Sequence, residues 1–259
     1  MLATHIYCYC VVHSARRPAV GRAPAGVPGA APLEAIEFGR DFWLVAAEVP
    51  GDTYGREALR ASLADASWVS SVALAHNSVI EFFARARTTT TIPLKLFTLF
   101  STRERAAADM RAARRTIAAV ARRVAGCEEW GVRVLPPARA AASPSRTEAP
   151  STGAAFLAAK KQARDDARTR VVQAAESADR VFRSLQALAR AAERREDVPA
   201  GAAAPPLLDA AFLVPGRRAA RFRAAARRAA AECADAGAEL TLTGPWPAYS
   251  FVQRAGSRG

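Results

Sequence analysis

The sequence predicts an α+β protein of two domains, each a small mixed or antiparallel sheet with packed helices. Three observations predict it. The chain has 259 residues, more than one hydrophobic core of ordinary size organises. Short runs rich in β-branched and aromatic residues alternate with longer runs whose apolar residues recur at helical spacing. A Pro, Ala and Ser stretch without periodicity, residues 136–150, divides the chain near its middle and reads as a linker. The expected domains are therefore residues 1–135 and 151–259.

Residues 5–13, HIYCYCVVH, read as a strand, followed by an Arg, Pro and Gly-rich loop at 16–32. LEAIEF (33–38) and FWLVAAEV (42–49) flank Gly39 to Asp41 as a hairpin. Residues 56–84 are helical, with Asp65 as an N-cap between a short and a longer helix. Trp68, Val72, Ala75 and Val79 form the expected buried stripe of the longer one. TIPLKLFTLF (91–100) is the next strand, and Ser101 with Glu104 reads as a capping box opening a helix to about residue 125. WGVRVL (130–135) closes the first domain as a strand, an order compatible with a split β-α-β arrangement.

The second domain opens with a long Ala/Arg-rich helix over 154–195, whose narrow stripe includes Phe156, Ala163, Val171, Ala174, Ala178, Val181, Leu185 and Leu188. A loop at 197–206 leads to the strand LLDAAFLV (207–214) and a strongly basic helix at 217–236. Gly237 stops that helix, and the next strand covers 239–243. If the two strands were parallel neighbours, the connection would be a right-handed crossover.

Hydrophobic residues make up 51% of the chain, much of it alanine, so the cores are expected to be thin. The formal charge of +13 raises the possibility of a polyanionic partner. However, only three of the 37 basic residues are lysine, a composition that a GC-rich coding sequence also produces. The arginines are scattered through helices among Asp and Glu and read as solvated helix faces. An arginine-rich nucleic-acid-binding α+β module is thus the alternative reading, not the leading one. No apolar run reaches the roughly 18 residues of a membrane span, and MLATHIYCYCVV lacks a basic n-region. A cytoplasmic location with reduced thiols at Cys8, Cys10, Cys127 and Cys233 is the expectation.

His5, Cys8, Cys10 and His13 have the residue types of a zinc site. Strand alternation sets Cys8 and Cys10 opposite His5 and His13, and small buried cysteines are the preferred reading. His76, with Asp65 and Glu81 nearby in the helical region, lies in no recognisable catalytic motif and reads as structural. The neighbours Glu128 and Glu129, like Asp165 and Asp166, diverge on helix or strand and read as solvated. Lys95 and Phe97 share a strand face, without the glycine punctuation of an RNA-binding sheet. No glycine-rich phosphate loop and no nucleophile elbow occur. The expectation is a protein that is not an enzyme, with no catalytic residues, metal, cofactor or small-molecule substrate.

IPLKLFTLFST (92–102), GCEEWGVRV (126–134), TGAAFLAAKK (152–161), AFLVPGRRAARFR (211–223) and LTLTGPWPAYSFV (240–252) follow one another along the chain. Together, in this order, these five segments resemble the gas vesicle GvpL/GvpF family. The last is the most specific, followed by Trp130 in EEWGV. Lys95, Leu96 and Phe156 are mild departures from the family pattern. The resemblance implies a two-domain α+β protein whose C-terminal domain is ferredoxin-like, needed to form gas vesicles in the cytoplasm. It also implies as partners the hydrophobic shell protein GvpA and other accessory proteins, in an assembly or minor structural role. Trp246, Tyr249 and Phe251 are the candidate partner-binding residues. Tyr249 and Phe251 would share one face of a strand, and Trp246 is held between Pro245 and Pro247. The competing reading places all three in the core.

Overall fold

A computed structural model describes residues 4–86, 88–137, 153–195 and 205–252. The chain forms two compact units, one of Met1–Cys127 with Trp246–Gly259 and the other of Glu128–Pro245. Most of the expected linker, residues 138–150, and residues 197–204 of the second loop lie outside the described residues.

The first unit is built on β1 (Thr4–His13), β2 (Glu34–Gly39), β3 (Phe42–Pro50) and β4 (Thr90–Phe100), in the order β2-β3-β1-β4. Neighbouring strands pair antiparallel. The β2-β3 hairpin forms as expected, with Asp41 at φ 64° in its turn, a left-handed position that Asp tolerates better than most residues. Two short helices, α1 (Gly51–Tyr54) and α2 (Arg56–Ser62), precede α3 (Ala66–Ala84). Asp65 caps α3, its carboxylate accepting from the Ser67 and Trp68 amides at 2.9 and 3.1 Å. α3 buries Val72, His76, Val79, Ile80 and Phe83, a stripe at helical spacing against a core with Tyr7, Tyr9 and Val45.

The segment expected as one helix to about residue 125 is two, α4 (Arg103–Ala112) and α5 (Arg114–Val124). The α4 cap is Thr102, whose hydroxyl accepts from the Arg105 amide, one residue later than the expected capping box. α8 (Tyr249–Val252) belongs to this unit and packs on α5 and β4.

The second unit runs β5 (Cys127–Leu135), α6 (Gly153–Gln186), β6 (Ala191–Arg194), β7 (Leu208–Pro215), α7 (Ala219–Asp235) and β8 (Glu239–Trp246). Its sheet order is β6-β7-β5-β8. That βαββαβ succession, with the first and third strands central, is the ferredoxin-like arrangement. Two expectations are corrected here. The strand 130–135 was expected to close the first domain, but it is the central strand of the second sheet, and residues after Pro245 return to the first unit. The helix expected to reach residue 195 ends at Gln186, and Ala191–Arg194 is the edge strand β6. β7 and β8 are separated by β5, so they are not parallel neighbours.

The core of the second unit is thin and alanine-rich, as composition suggested. Trp130, Val132 and Val134 of β5 and Phe212 of β7 meet Ala174, Ala178, Val181 and Leu185 of α6 and Phe222, Ala226 and Ala229 of α7. On β5 the alternate residues Glu129 and Arg133 face the other way. Arg133 donates through Nε and Nη2 to Asp209 Oδ2 at 2.9 and 2.6 Å. Arg195 donates to Glu129 Oε1 at 3.0 Å. Glu129 is therefore not solvated as expected but buried at 3% exposure and ion-paired, the condition under which a carboxylate is tolerated away from water. Asp165 and Asp166 are exposed on α6.

Candidate partner-binding site

The three candidate residues sit in three environments. Trp246 ends β8 and is exposed at 42%. Tyr249 and Phe251 lie on the helix α8, not on a strand, so residues two apart point in divergent directions. Phe251 is fully buried, with the Arg123 guanidinium 5.7 Å from its ring centroid. Tyr249 is half-buried, and its hydroxyl donates to Asn77 Oδ1. Asn77 Nδ2 in turn donates to Glu81 Oε1 at 2.6 Å, and Arg85 donates to Glu81 Oε2 at 3.0 Å. This chain of hydrogen bonds ties α8 to α3. The structure brings Tyr249 and Phe251 into the first unit and leaves Trp246 as the aromatic of the set with a large water-facing surface.

Tyr249 also borders a cleft of about 340 Å³ whose other walls are His76 and Asn77 of α3, residues 93–96 of β4, and Val252. That wall of β4 is irregular. Against β1, Cys8 pairs with Thr98 while Cys10 pairs with Pro93, so residues 94–97 form an excursion opposite the single residue Tyr9. The Thr98 hydroxyl closes it on the Lys95 carbonyl at 2.7 Å. Phe97 adopts φ 60°, a conformation that costs a non-glycine residue on the order of 1 to 2 kcal/mol. Its ring stacks on Trp68 at 5.8 Å and 10°. Lys95 and Phe97 thus do not share a flat strand face as the sequence suggested.

Two buried side chains pin the excursion. The Phe97 amide donates to Tyr7 Oη at 3.4 Å. His76 Nε2 lies 3.3 Å from the Leu94 carbonyl, and His76 Nδ1 lies 3.1 Å from Tyr7 Oη. A carbonyl only accepts, so Nε2 carries the proton and Nδ1 accepts the Tyr7 O–H. Burial lowers the His76 pKa to about 4, overriding the opposing bond to Leu94, so the ring is neutral near pH 7 and fills both roles. Burial also holds Tyr7 and Tyr9 in the neutral phenol form. His76 is structural, as expected, and so is Asp65. Glu81 is occupied with Arg85 and Asn77.

The same irregularity changes the face alternation of β1. Before it Tyr7 and Tyr9 enter the core under α3, and after it Cys10 and Val12 do. Cys8 therefore points away from Cys10, whereas regular alternation had put the two on one face. Burial pushes the Cys8 thiol up to about 12 and raises that of Cys10 as well, so both are protonated thiols near pH 7. Among the described residues, no group of three or more His, Cys, Asp or Glu is placed to hold a metal. No described helix is long and apolar enough to cross a membrane.

Of the leucines in this cleft, sequence reasoning passed over Leu94 and met Leu96 only as a departure from the family pattern. Pro93 carried the available signal, because a proline inside a strand pattern marks an edge or a bulge.

The profile of the family described as gas vesicle synthesis protein GvpL/GvpF matches residues 5–253. The chain belongs to the GvpL/GvpF family. It is 29% identical over 252 residues to gas vesicle protein L of Streptomyces sp. (strain CB03234), covering 93% of this chain and 91% of that protein. Its fold is similar to the crystal structure of GvpF from Anabaena sp. PCC7120, with TM-score 0.66 at 16% identity over 96% of both chains. GvpF from Microcystis aeruginosa is similar with TM-score 0.64 at 14% identity, over 96% of this chain and 99% of that one. Membership of the GvpL/GvpF family assigns a role connected with gas vesicles and accounts for the two-sheet α+β architecture. The LTLTGPWPAYSFV segment now has a physical description: an edge strand, an exposed tryptophan between prolines, and a short helix that closes the first unit.

Proposed function

We propose that this GvpL/GvpF family member is an accessory protein of gas vesicle assembly that binds the hydrophobic shell protein GvpA and other accessory proteins. Incorporation as a minor structural component of the vesicle is the alternative form of the same role. A subunit with an apolar surface needs a partner that covers that surface before assembly. What supports a contact at the C-terminal segment is the 42% exposure of Trp246, a large aromatic whose flanking prolines restrict its backbone. Exposed tryptophans of this kind anchor interfaces at low entropic cost. Of the original three candidates, Trp246 is the contact residue. Phe251 serves the core, and Tyr249 serves the tether to Asn77.

Co-expression with GvpA tests the reading. Full-length protein retains GvpA on affinity capture, and Trp246→Ala weakens retention about tenfold or more without changing the thermal unfolding midpoint. Absence of GvpA from the wild-type capture, with vesicles forming in cells that lack this protein, overturns the proposal. Unchanged retention by Trp246→Ala moves the contact elsewhere and leaves the accessory role standing.

A further inference from the structure

Within the second unit, α6 is longer than its packing requires. Its 34 residues span about 51 Å at 1.5 Å per residue, yet its buried residues begin only at Ala174. Every residue of 154–173 whose exposure is described is exposed. Those turns are not uniformly polar. Phe156 and Leu157 are 56% and 66% exposed, and Val171 is 45% exposed.

At about 100° per residue, the line through the buried Ala174, Ala178, Val181 and Leu185 continues toward the N-terminus through Val171, Ala167, Ala163 and Phe156, with Leu157 beside it. The exposed turns therefore carry the same apolar stripe that the inner turns bury. The charges on this stripe are of one sign. Lys160, Arg164 and Arg170 lie within about 70° of its centre, whereas Asp166 lies about 90° from it, on the flank opposite Leu157, and Asp165 lies on the far side of the helix.

We propose that the exposed turns of α6 dock an amphipathic helix of a partner protein whose apolar stripe is bordered by carboxylates. The proposal rests on the accessory role given above and names the chemistry of one partner in it. Charge selects the occupant. A second copy of the same face would set Lys160, Arg164 and Arg170 against their own counterparts, whereas carboxylates at the flanks of a partner stripe would meet all three. Side-chain size favours a helix over an anionic lipid surface. The centre of the face is Ala163 and Ala167, which let a helix backbone approach closely, and the bulky Phe156, Leu157 and Val171 stand toward its two ends. The stripe from Phe156 to Val171 is about 22 Å long, about the length of two heptads of a partner, so a peptide of three heptads spans it with a turn or more beyond.

The test uses the full-length protein and a fluorescein-labelled synthetic peptide of about three heptads, with Leu at a and d and Glu at e and g. Its counterpart with Lys at e and g is the control. Fluorescence anisotropy is expected to show the Glu peptide binding about tenfold or more tightly than the Lys peptide, with affinity falling as salt rises. The triple variant Lys160→Glu, Arg164→Glu, Arg170→Glu reverses that preference. Phe156→Ser with Val171→Ser weakens binding of the Glu peptide. All five side chains are exposed, and circular dichroism checks that the helix persists.

Three results overturn the proposal: no binding of the Glu peptide, unchanged binding in the triple variant, or binding of phosphatidylglycerol vesicles with no peptide binding. GvpA capture by the wild-type protein is measured in parallel. Its failure beside a positive peptide result counts against the accessory role alone. Its success beside a negative peptide result counts against the α6 surface alone.

Discussion

His76 shows how one buried ring can hold a strained backbone in place. It accepts from the Tyr7 hydroxyl and donates to the Leu94 carbonyl, and only the neutral ring can do both. Its pKa falls from 6.5 in the unfolded chain to about 4 in the folded one, so between those values the unfolded state binds the additional proton. Stability from this group is fully present above about pH 6.5 and is lost as the pH falls toward 4. The upper bound of that loss is about 3 kcal/mol. The urea midpoint of the wild-type protein should fall over this window. His76→Leu should lower the midpoint at pH 7, because Tyr7 and Leu94 lose a buried partner, and should flatten its pH dependence. A variant whose pH profile parallels the wild type would show that other groups control the acid transition. Nothing in the sequence distinguished this histidine from a solvated one except its place on the apolar face of a helix. Burial keeps it neutral, and its two hydrogen-bond partners come from residues 69 and 18 positions away.

At the scale of elements, local signals were legible and strand membership was not. The hairpin turn and the Asp65 cap follow from short-range chemistry and formed where the sequence placed them. Of the expected α3 stripe, Val72 and Val79 are buried and Trp68 and Ala75 only half-buried, the buried face turning toward His76, Ile80 and Phe83. The four-residue excursion of β4 was hidden, because residues 92–100 are apolar enough to read as a continuous strand and its cause is the pairing with β1. α8 was misread for a related reason: Tyr249, Ser250 and Phe251 alternate like a strand, and burial against α5 and β4 decides otherwise. The glycine of GPWP was legible once its conformation was known. Gly244 has φ +118°, and a Cβ there would stand 2.8 Å from the Glu129 carbonyl oxygen and 3.3 Å from the Trp130 ring. Gly244→Ala is expected to destabilise the second unit by about 2 kcal/mol or more, through backbone strain together with that clash. Urea unfolding followed by hydrogen exchange at the β5 and β7 amides reads it. A midpoint equal to wild type would mean that the β5-β8 pair shifts to accept the methyl group.

At the scale of the whole molecule, the sequence indicated two domains and an α+β class, because length and alternating periodicity report on those directly. It misassigned the segments that cross between units. WGVRVL precedes the Pro-rich stretch and was grouped with what comes before it, yet its sheet partners β7 and β8 come later in the chain. Conversely, residues after Pro245 follow the ferredoxin-like unit but complete the core of the first. Phe251 is fully buried there, and removing a buried phenylalanine side chain costs about 3 to 5 kcal/mol. Tyr249 adds the bond that holds α8 to Asn77. Deleting residues 246–259 should therefore destabilise the first unit although its four strands remain intact in sequence. The second unit loses only the last residue of β8 and should keep its protection. Hydrogen exchange read by mass spectrometry checks this. Amides of β1, β3 and β4 should exchange faster in the truncated chain, while those of β5 and β7 should exchange at the wild-type rate. Equal acceleration in both sheets would mean that the two units unfold as one cooperative body, and unchanged exchange in β1 would mean that α8 contributes nothing to the stability of the unit it closes.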